Sequence, residues 1–324
     1  MNRRAFTFAA AAALGLATLP TGAAANSWPS QPIRLVVPFS PGGAADTMAR
    51  IVAEKLRDRI GQNVLVENVV GAGTMVATDQ VARAAPDGHT LLVAASAHTI
   101  NPNVTKVRYD PIADFTPVTL LVSPLHVLVV ADNVPAKSVA ELIALAKQQP
   151  GKLAYGSVGH GTSTHMEAEM FAKMAGVELV HVPYRGSAPA LTDLVAGRIP
   201  IMFDALASSG PHIESKAIRA LGVTSAKRSP LMPNLPTIAE SGLPGYEAVP
   251  WLGVFGPAKL DPAIVERLNK ELLEILAQED VKTRFAQLGL EILAYPSPKF
   301  AEFVKEDLAK WAKTAKDAGI QPGN

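Results

Sequence analysis

The amino-acid sequence predicts an α/β protein built on mainly parallel sheets flanked by helices. Three observations lead there. Short runs rich in Val, Ile and Leu are near-continuously apolar rather than alternating, the pattern of strands covered on both faces. Helical patterns separate most of these runs, as in successive βαβ units. Several strand ends pass into glycine-containing loops that lead directly into helices, which is where open parallel sheets bind ligands.

The elements follow in chain order. Ile33–Val37 reads as the first strand. Asp46–Ile60 is a helix with Met48, Ile51, Val52, Leu56 and Ile60 on one stripe, ending at Gly61 in a left-handed cap position. Val64–Glu67, Thr90–Ala94, Val118–Val122 and Val127–Val130 are the next strands. Ser138–Gln149 opens with Ser-Val-Ala-Glu, a capping box in which the first hydroxyl and the fourth residue's carboxylate each take an N–H of the first turn. Ser163–Ala175 carries Met166, Met170, Phe171 and Met174 on one helical face and stops at Gly176. Glu178–Val182, Ile201–Phe203 and Ala220–Val223 are strands. Asp261-Pro262 starts a helix to Gln278, with proline in the first turn, and Ser297-Pro298 starts the last, Lys299–Ala318. Val37-Pro38-Phe39 and Val182-Pro183-Tyr184 form a weak internal echo, each ending a strand and entering a glycine-containing turn.

Composition narrows the function. The chain has 324 residues, 48% hydrophobic and 18% charged, long and apolar enough for a large core without staples. With 30 Lys+Arg against 29 Asp+Glu, the net charge of +1 offers no basic surplus for nucleic acid. The absence of Cys excludes disulfides, thiolate metal sites, a catalytic thiol and a lipid-modified N-terminal cysteine.

Met1–Ala25 reads as an export signal: Arg3-Arg4, an apolar run of about 15 residues from Ala5 to Leu19, then Ala23-Ala24-Ala25. The run is shorter than the roughly 20 residues of a spanning helix. Asn2-Arg3-Arg4-Ala5-Phe6 also fits a twin-arginine signal. Cleavage near Ala25 removes two Arg and no acid, leaving 28 basic and 29 acidic residues, a net charge of −1. The expected product is a soluble periplasmic protein without a lipid anchor.

Five strand-to-helix loops share one chemistry. They are Pro38–Asp46, Ala94–Thr99, Tyr155–Ser163, Pro183–Ala188 and Asp204–Ser208. Glycines allow close backbone approach, hydroxyls supply neutral donors, and helix N-termini favour an anion. Arg185 is the only basic residue in the set apart from histidines. Within these loops Asp46 and Ser163 read first as helix caps, while Asp204 closes an apolar strand where it can accept hydrogen bonds from a ligand. His98, His160 and His165 read as hydrogen-bonded structural residues, since their spacing matches no zinc signature.

Enzyme motifs are missing. There is no phosphate loop, and Gly71-Ala72-Gly73-Thr74-Met75-Val76 fails G-x-G-x-x-G at its third glycine. Gly161-Thr162-Ser163-Thr164-His165 has histidine where a nucleophile elbow needs glycine. A Ser163–His165–Asp204 triad can be drawn on paper, but residues two apart at a helix start diverge. A secreted hydrolase using Ser163 or Ser157 therefore stands as the alternative, with a sensor or a receptor for another solute beside it. No catalytic residue, metal or cofactor is expected.

The loops, taken together, resemble the tripartite tricarboxylate transporter substrate-binding receptors, also called the Bug family. The resemblance is carried by Trp28–Asp46, Pro86–Leu92, Asn101-Pro102, Tyr155–Ser163 with His165, Val182–Gly186, Pro189–Leu194, Met202-Phe203-Asp204, Pro233–Thr237 and Trp251–Pro257, in order along the mature chain. It implies a two-lobed periplasmic binding protein of type II-like build, the ligand held in the cleft between lobes. The implied lobes are 26–124 with 220–324, and 125–219. A small carboxylate ligand, a two-component membrane permease and a monomer are implied as well. The positions it marks for the ligand are Phe39, Ser40, Gly43, Ser96, Ala97, Ser157, Gly159, Thr162, Ser163, Tyr184, Gly186 and Asp204. The loop reading adds Asp46, His98 and Arg185. One departure is Gly71-Ala72-Gly73-Thr74, where the family often carries Gly-Ala-Gly-Gly.

Overall fold

The structure, a computed structural model, describes residues 28–317; the leader expected at residues 1–25 lies outside them. The chain first builds β1 (Ile33–Val37), α1 (Ala44–Ile60), β2 (Val64–Asn68), α2 (Met75–Ala82), β3 (Thr90–Ala95), α3 (Ala97–Val104) and β4 (Phe115–Pro124). It then builds β5 (His126–Ala131), α4 (Val139–Gln148), β6 (Ala154–Ser157), α5 (Ser163–Ala175), β7 (Val180–Pro183), α6 (Ser187–Val195), β8 (Ile201–Ala205), α7 (Leu206–Glu214) and β9 (Ile218–Val223). It closes with β10 (Leu252–Pro257), α8 (Pro262–Leu276), α9 (Glu279–Gln287), β11 (Leu290–Pro296) and α10 (Ser297–Asp317).

The apolar runs form strands because both of their faces are covered. In β1, Leu35 and Val37 enter one core and Val36 enters another on the opposite face of the sheet. Helix stops follow local chemistry. Gly61 and Gly176 take the left-handed conformation at φ 68° and 62°, which costs glycine nothing. Ser138 Oγ accepts the Glu141 N–H as expected, but the Glu141 carboxylate accepts the Lys137 N–H, one residue before the cap, so only the serine half of the box forms. Asp261 caps the Ala263 N–H ahead of Pro262. In α5 the expected apolar face is rotated: Met166, Ala168, Phe171 and Ala172 are buried while Met174 is exposed, because β6 and β8 receive the Phe171 side.

Two sheets result, ordered β11-β4-β10-β3-β1-β2 and β7-β6-β8-β5-β9. The α/β class with helix-flanked sheets holds, but the strands are mixed rather than mainly parallel. Parallel ladders join β1 to β2 and β3, and β6 to β7 and β8. The other five pairings are antiparallel. The reason is the crossing between lobes: β4 and β5 are joined through Leu125 alone, so β5 enters its sheet without a helical crossover, and β10 returns to lie between β3 and β4.

The return falls later than residue 220. Strand β9 belongs to the second sheet, and Ile238, Leu243 and Tyr246 pack in the second core. The two crossings lie side by side, held by Ser123 Oγ to the Pro250 carbonyl at 2.7 Å and by the Ala248 N–H to the Thr224 carbonyl at 3.0 Å. Among the described residues no helix is long and apolar enough to cross a membrane.

Candidate functional site

The two echoed turns face one another across the cleft between lobes. The Ser40 N–H donates to the Arg185 carbonyl at 3.0 Å, and a Cβ on Gly186 would lie 2.2 Å from Ser40 Oγ. Gly186 sits at φ +146°, a conformation open to glycine. A second glycine, Gly161, closes the seam further along; a Cβ there would lie 1.9 Å from Asn101 Oδ1 of the first lobe. Ser40 Oγ and Asn101 Oδ1 are buried at this seam without a hydrogen-bond partner among the described residues.

Beneath the seam lies a cavity of about 50 Å³. Its walls are Phe39, Gly43, Ala44, Ala45, Ala95, Pro124, His126, Val158, Ser163, Thr164, Ser187, Asp204, Ala205, Pro250, Trp251 and Leu252. The volume holds on the order of three or four water-sized groups. Four helices begin on it: α1 at Ala44, α5 at Ser163, α6 at Ser187 and α7 after Ala205. None of their cap residues, Gly43, Thr162, Gly186 and Ala205, closes the first turn with a side chain. First-turn N–H groups and four partial positive charges are thereby directed at one small space, an arrangement suited to an anion.

The floor is a buried charge network. Asp204 is 1% exposed and accepts the Ser187 hydroxyl at 2.6 Å and the Ser208 hydroxyl at 2.7 Å. Burial raises its carboxyl above the usual range; the two hydroxyls and the His126 charge pull it down but do not cancel that. His126 Nδ1 lies 2.9 Å from both oxygens of buried Glu167. Burial would lower the His126 imidazole, but the Glu167 charge and hydrogen bond, aided by Asp204, outweigh it and raise it. One wall is set by Trp251, whose N–H meets Ser96 Oγ at 2.9 Å and whose Nε1 meets Asp307 of α10 at 2.9 Å.

Of the residues read from the sequence, Phe39, Gly43, Ser163 and Asp204 line this cavity. Ser40 and Gly186 form the seam above it, and the Arg185 carbonyl joins them while its side chain lies exposed. Ser96 supports the Trp251 wall, and Ala97 is buried at the start of α3. Ser157, Gly159 and Thr162 bond among themselves: Ser157 Oγ and Thr162 Oγ both donate to the Gly159 carbonyl, at 3.1 and 2.6 Å. The Tyr184 hydroxyl turns to Asp193 at 2.7 Å.

Two expectations are corrected. His98 is 2% exposed inside the aromatic core, against Phe115, Phe255 and Tyr109, with Nε2 on the Pro111 carbonyl at 2.8 Å. Burial pushes it down to about 4, so it is a core residue and not a cleft residue. Asp46 is not the cap of α1, which is Gly43, and it does not line this cavity. Its carboxylate folds back onto the Gly42 N–H, Arg50 and Asn68, and these outweigh burial to hold it below its usual range. Sequence reasoning missed His126, which has no local motif, and placed Ser187 in the Pro183–Ala188 loop without marking it for the ligand; both join the site where β5 and α6 meet β8.

No catalytic chain links Ser163, His165 and Asp204. His165 Nδ1 accepts the Gly161 N–H at 3.2 Å and its ring stacks on His181, while both Asp204 oxygens are taken by serines. A larger cavity of about 550 Å³ opens behind the hinge, around Leu125, Thr224, Val249 and Gly289. It contains none of the residues predicted from the loops, and no helix start faces it among those just described.

Residues 48–320 match the tripartite tricarboxylate transporter family receptor. The chain is 37% identical to a Rhodopseudomonas palustris protein solved with adipate, over 91% of this chain and 99% of that one, with a TM-score of 0.88. It is 34% identical to the periplasmic binding protein BugD, over 91% and 100%, also with a TM-score of 0.88. It is 32% identical to MatC of Rhodopseudomonas palustris with bound malate, over 88% and 99%, with a TM-score of 0.84.

Proposed function

We propose that this chain, which belongs to the tripartite tricarboxylate transporter receptor family, is a periplasmic receptor that captures a small carboxylate between its lobes and delivers it to a two-component membrane permease. The observation that carries the carboxylate is the convergence of four uncapped helix starts on one cavity. Their N–H groups hold negative charge without a lysine cluster, and Ser40 and Ser163 add neutral donors. Adipate and malate in two related structures support the same ligand class.

The small volume with the lobes in contact supports a single carboxylate group at the uncapped helix starts. The body of the ligand lies against Phe39, Ala45, Val158 and Leu252 as the lobes adjust. Each lobe supplies donors, so ligand binding favours the closed arrangement. Phe39, Ser40, Gly43, Ser163, Gly186 and Asp204 are the residues we assign to binding or closure.

Isothermal titration of the mature protein with adipate, malate, citrate, aromatic acids and amino acids tests the reading. One carboxylate should bind with negative heat-capacity change. A folded protein that binds none of them overturns the ligand class. Labelling of Ser163 or Ser157 by a serine-directed phosphonate would instead support a hydrolase. Delivery is checked by uptake of the bound acid, which should fall in cells lacking this chain and return when it is restored.

A further inference from the structure

Outside the cleft, the fold gathers three histidines at the rim of the second lobe. His160 lies in the loop after β6, His165 on the first turn of α5 and His181 on β7. One ring nitrogen from each lies within 4.8 Å of the others. His160 is exposed, His181 half-buried and His165 buried, so the cluster opens to solvent on one side. None of the three lines the cleft cavity.

We propose that His160, His165 and His181 form a binding site for a divalent transition-metal ion of the zinc, nickel and copper class. Imidazole is a favoured donor for these ions, and three of them with one position left to water is a known coordination set. Metal–nitrogen bonds of about 2.0–2.1 Å place tetrahedral donors roughly 3.3 Å apart. The rings therefore close by something over an ångström, a movement that exposed His160 can make.

The surroundings fit. His181 Nε2 lies 2.6 Å from Ser157 Oγ, whose own hydrogen goes to the Gly159 carbonyl. The serine oxygen then accepts the Nε2 proton and leaves His181 Nδ1 with its lone pair, the second hydrogen bond that orients a metal-bound histidine. Tyr155 stacks on His181 at 4.9 Å and fixes the ring plane. Among the described residues no carboxylate is paired with the three rings in place of a metal.

His165 gives the site a consequence. Its Nδ1 accepts the Gly161 N–H at 3.2 Å. Ligation at Nδ1 displaces that N–H; ligation at Nε2 moves the ring proton to Nδ1, where it faces the same donor. Either way the Gly161 bond is lost. Gly161 packs on Asn101 of the first lobe, so metal occupancy acts on the seam loop as well as on the rim.

The test uses untagged, metal-stripped mature protein. Calorimetry with Zn²⁺ should give one equivalent bound, weakened about ten- to a hundredfold by His160→Ala and by His181→Gln, and unchanged by His212→Ala. Cobalt(II) added to the wild-type protein should give intense visible bands of a low-coordinate nitrogen site. Absence of binding by Zn²⁺, Ni²⁺ and Cu²⁺ overturns the proposal. So does Zn²⁺ binding that survives both histidine substitutions, or a cobalt spectrum no stronger than that of the aquo ion.

Discussion

Two helix starts on the outside of this molecule differ from four at the cleft. Helices α4 and α8 close their first turns with their own side chains, Ser138 on the Glu141 N–H and Asp261 on the Ala263 N–H. Helices α1, α5, α6 and α7 do not, and Gly43, Gly186 and Ala205 have no side-chain oxygen to offer. Thr162 has one and gives its hydroxyl to the Gly159 carbonyl instead. A cap typically contributes about 1 kcal/mol. The cleft forgoes that stability at four places and leaves first-turn donors for an anion, with the Leu206 N–H of α7 alone turned to the Leu125 carbonyl at 2.8 Å. A missing side-chain cap alone does not mark the site, since α2, α3 and α9 also lack one; the convergence of four such starts on one cavity does.

The comparison can be sharpened from the largest effect down. Asp204, Glu167 and His126 form the buried counterpart of the open donors, and their charges depend on one another. Glu167→Gln should cost on the order of 3–5 kcal/mol, because it leaves buried His126 facing a neutral group. A urea-unfolding free energy lowered by less than about 1 kcal/mol would show that the pair carries no such charge.

His98 provides a reference region away from the cleft. Its folded value of about 4 lies below the ordinary 6.5 because burial disfavours the charged ring. The unfolded chain therefore takes up this proton first. Its contribution is fully present above about pH 6.5 and is lost as pH falls toward 4, by roughly 3 kcal/mol. The acid limb of the stability curve should flatten by that amount in His98→Phe, with carboxylate binding at neutral pH unchanged. An identical acid limb in the variant would contradict the assignment.

At the seam, Gly186→Ala should lower affinity for the bound acid by about a hundredfold, ~2.7 kcal/mol, with the far-ultraviolet spectrum unchanged. The added Cβ meets Ser40 Oγ at 2.2 Å and the Ser40 backbone N at 2.9 Å, so the lobes cannot close fully. Unchanged affinity would mean that closure does not use this seam. Smallest is Ser138→Ala, expected to cost about 1 kcal/mol of stability and nothing in affinity. A loss of affinity there would break the division between capped and open helix starts.

The local signals in the sequence were strong. Apolar runs covered on both faces, Gly61 and Gly176 as left-handed stops, and the Ser138 cap all depend on neighbours a few residues away, and all are found. The Phe39, Gly43, Ser163 and Asp204 loops were each read locally from a strand end, and the packing of the two lobes brings them to one cavity. What was not legible depends on distant partners. The antiparallel ladders of β5 and β10 are set by the crossings between lobes. His98 looked like a loop residue until Phe115 and Phe255 enclosed it. His126 joined the site, and His181 joined His160 and His165, through contacts between elements that no local spacing encodes.

The most direct test of the central claim compares the best-bound carboxylate with its neutral amide of the same shape, by calorimetry on the mature protein. If open helix starts hold the ligand, the acid binds and the amide loses at least about a hundredfold, since N–H donors and partial positive charge act on the anion. Equal binding of acid and amide would contradict the account, because the four uncapped helices would then be reading shape and not charge.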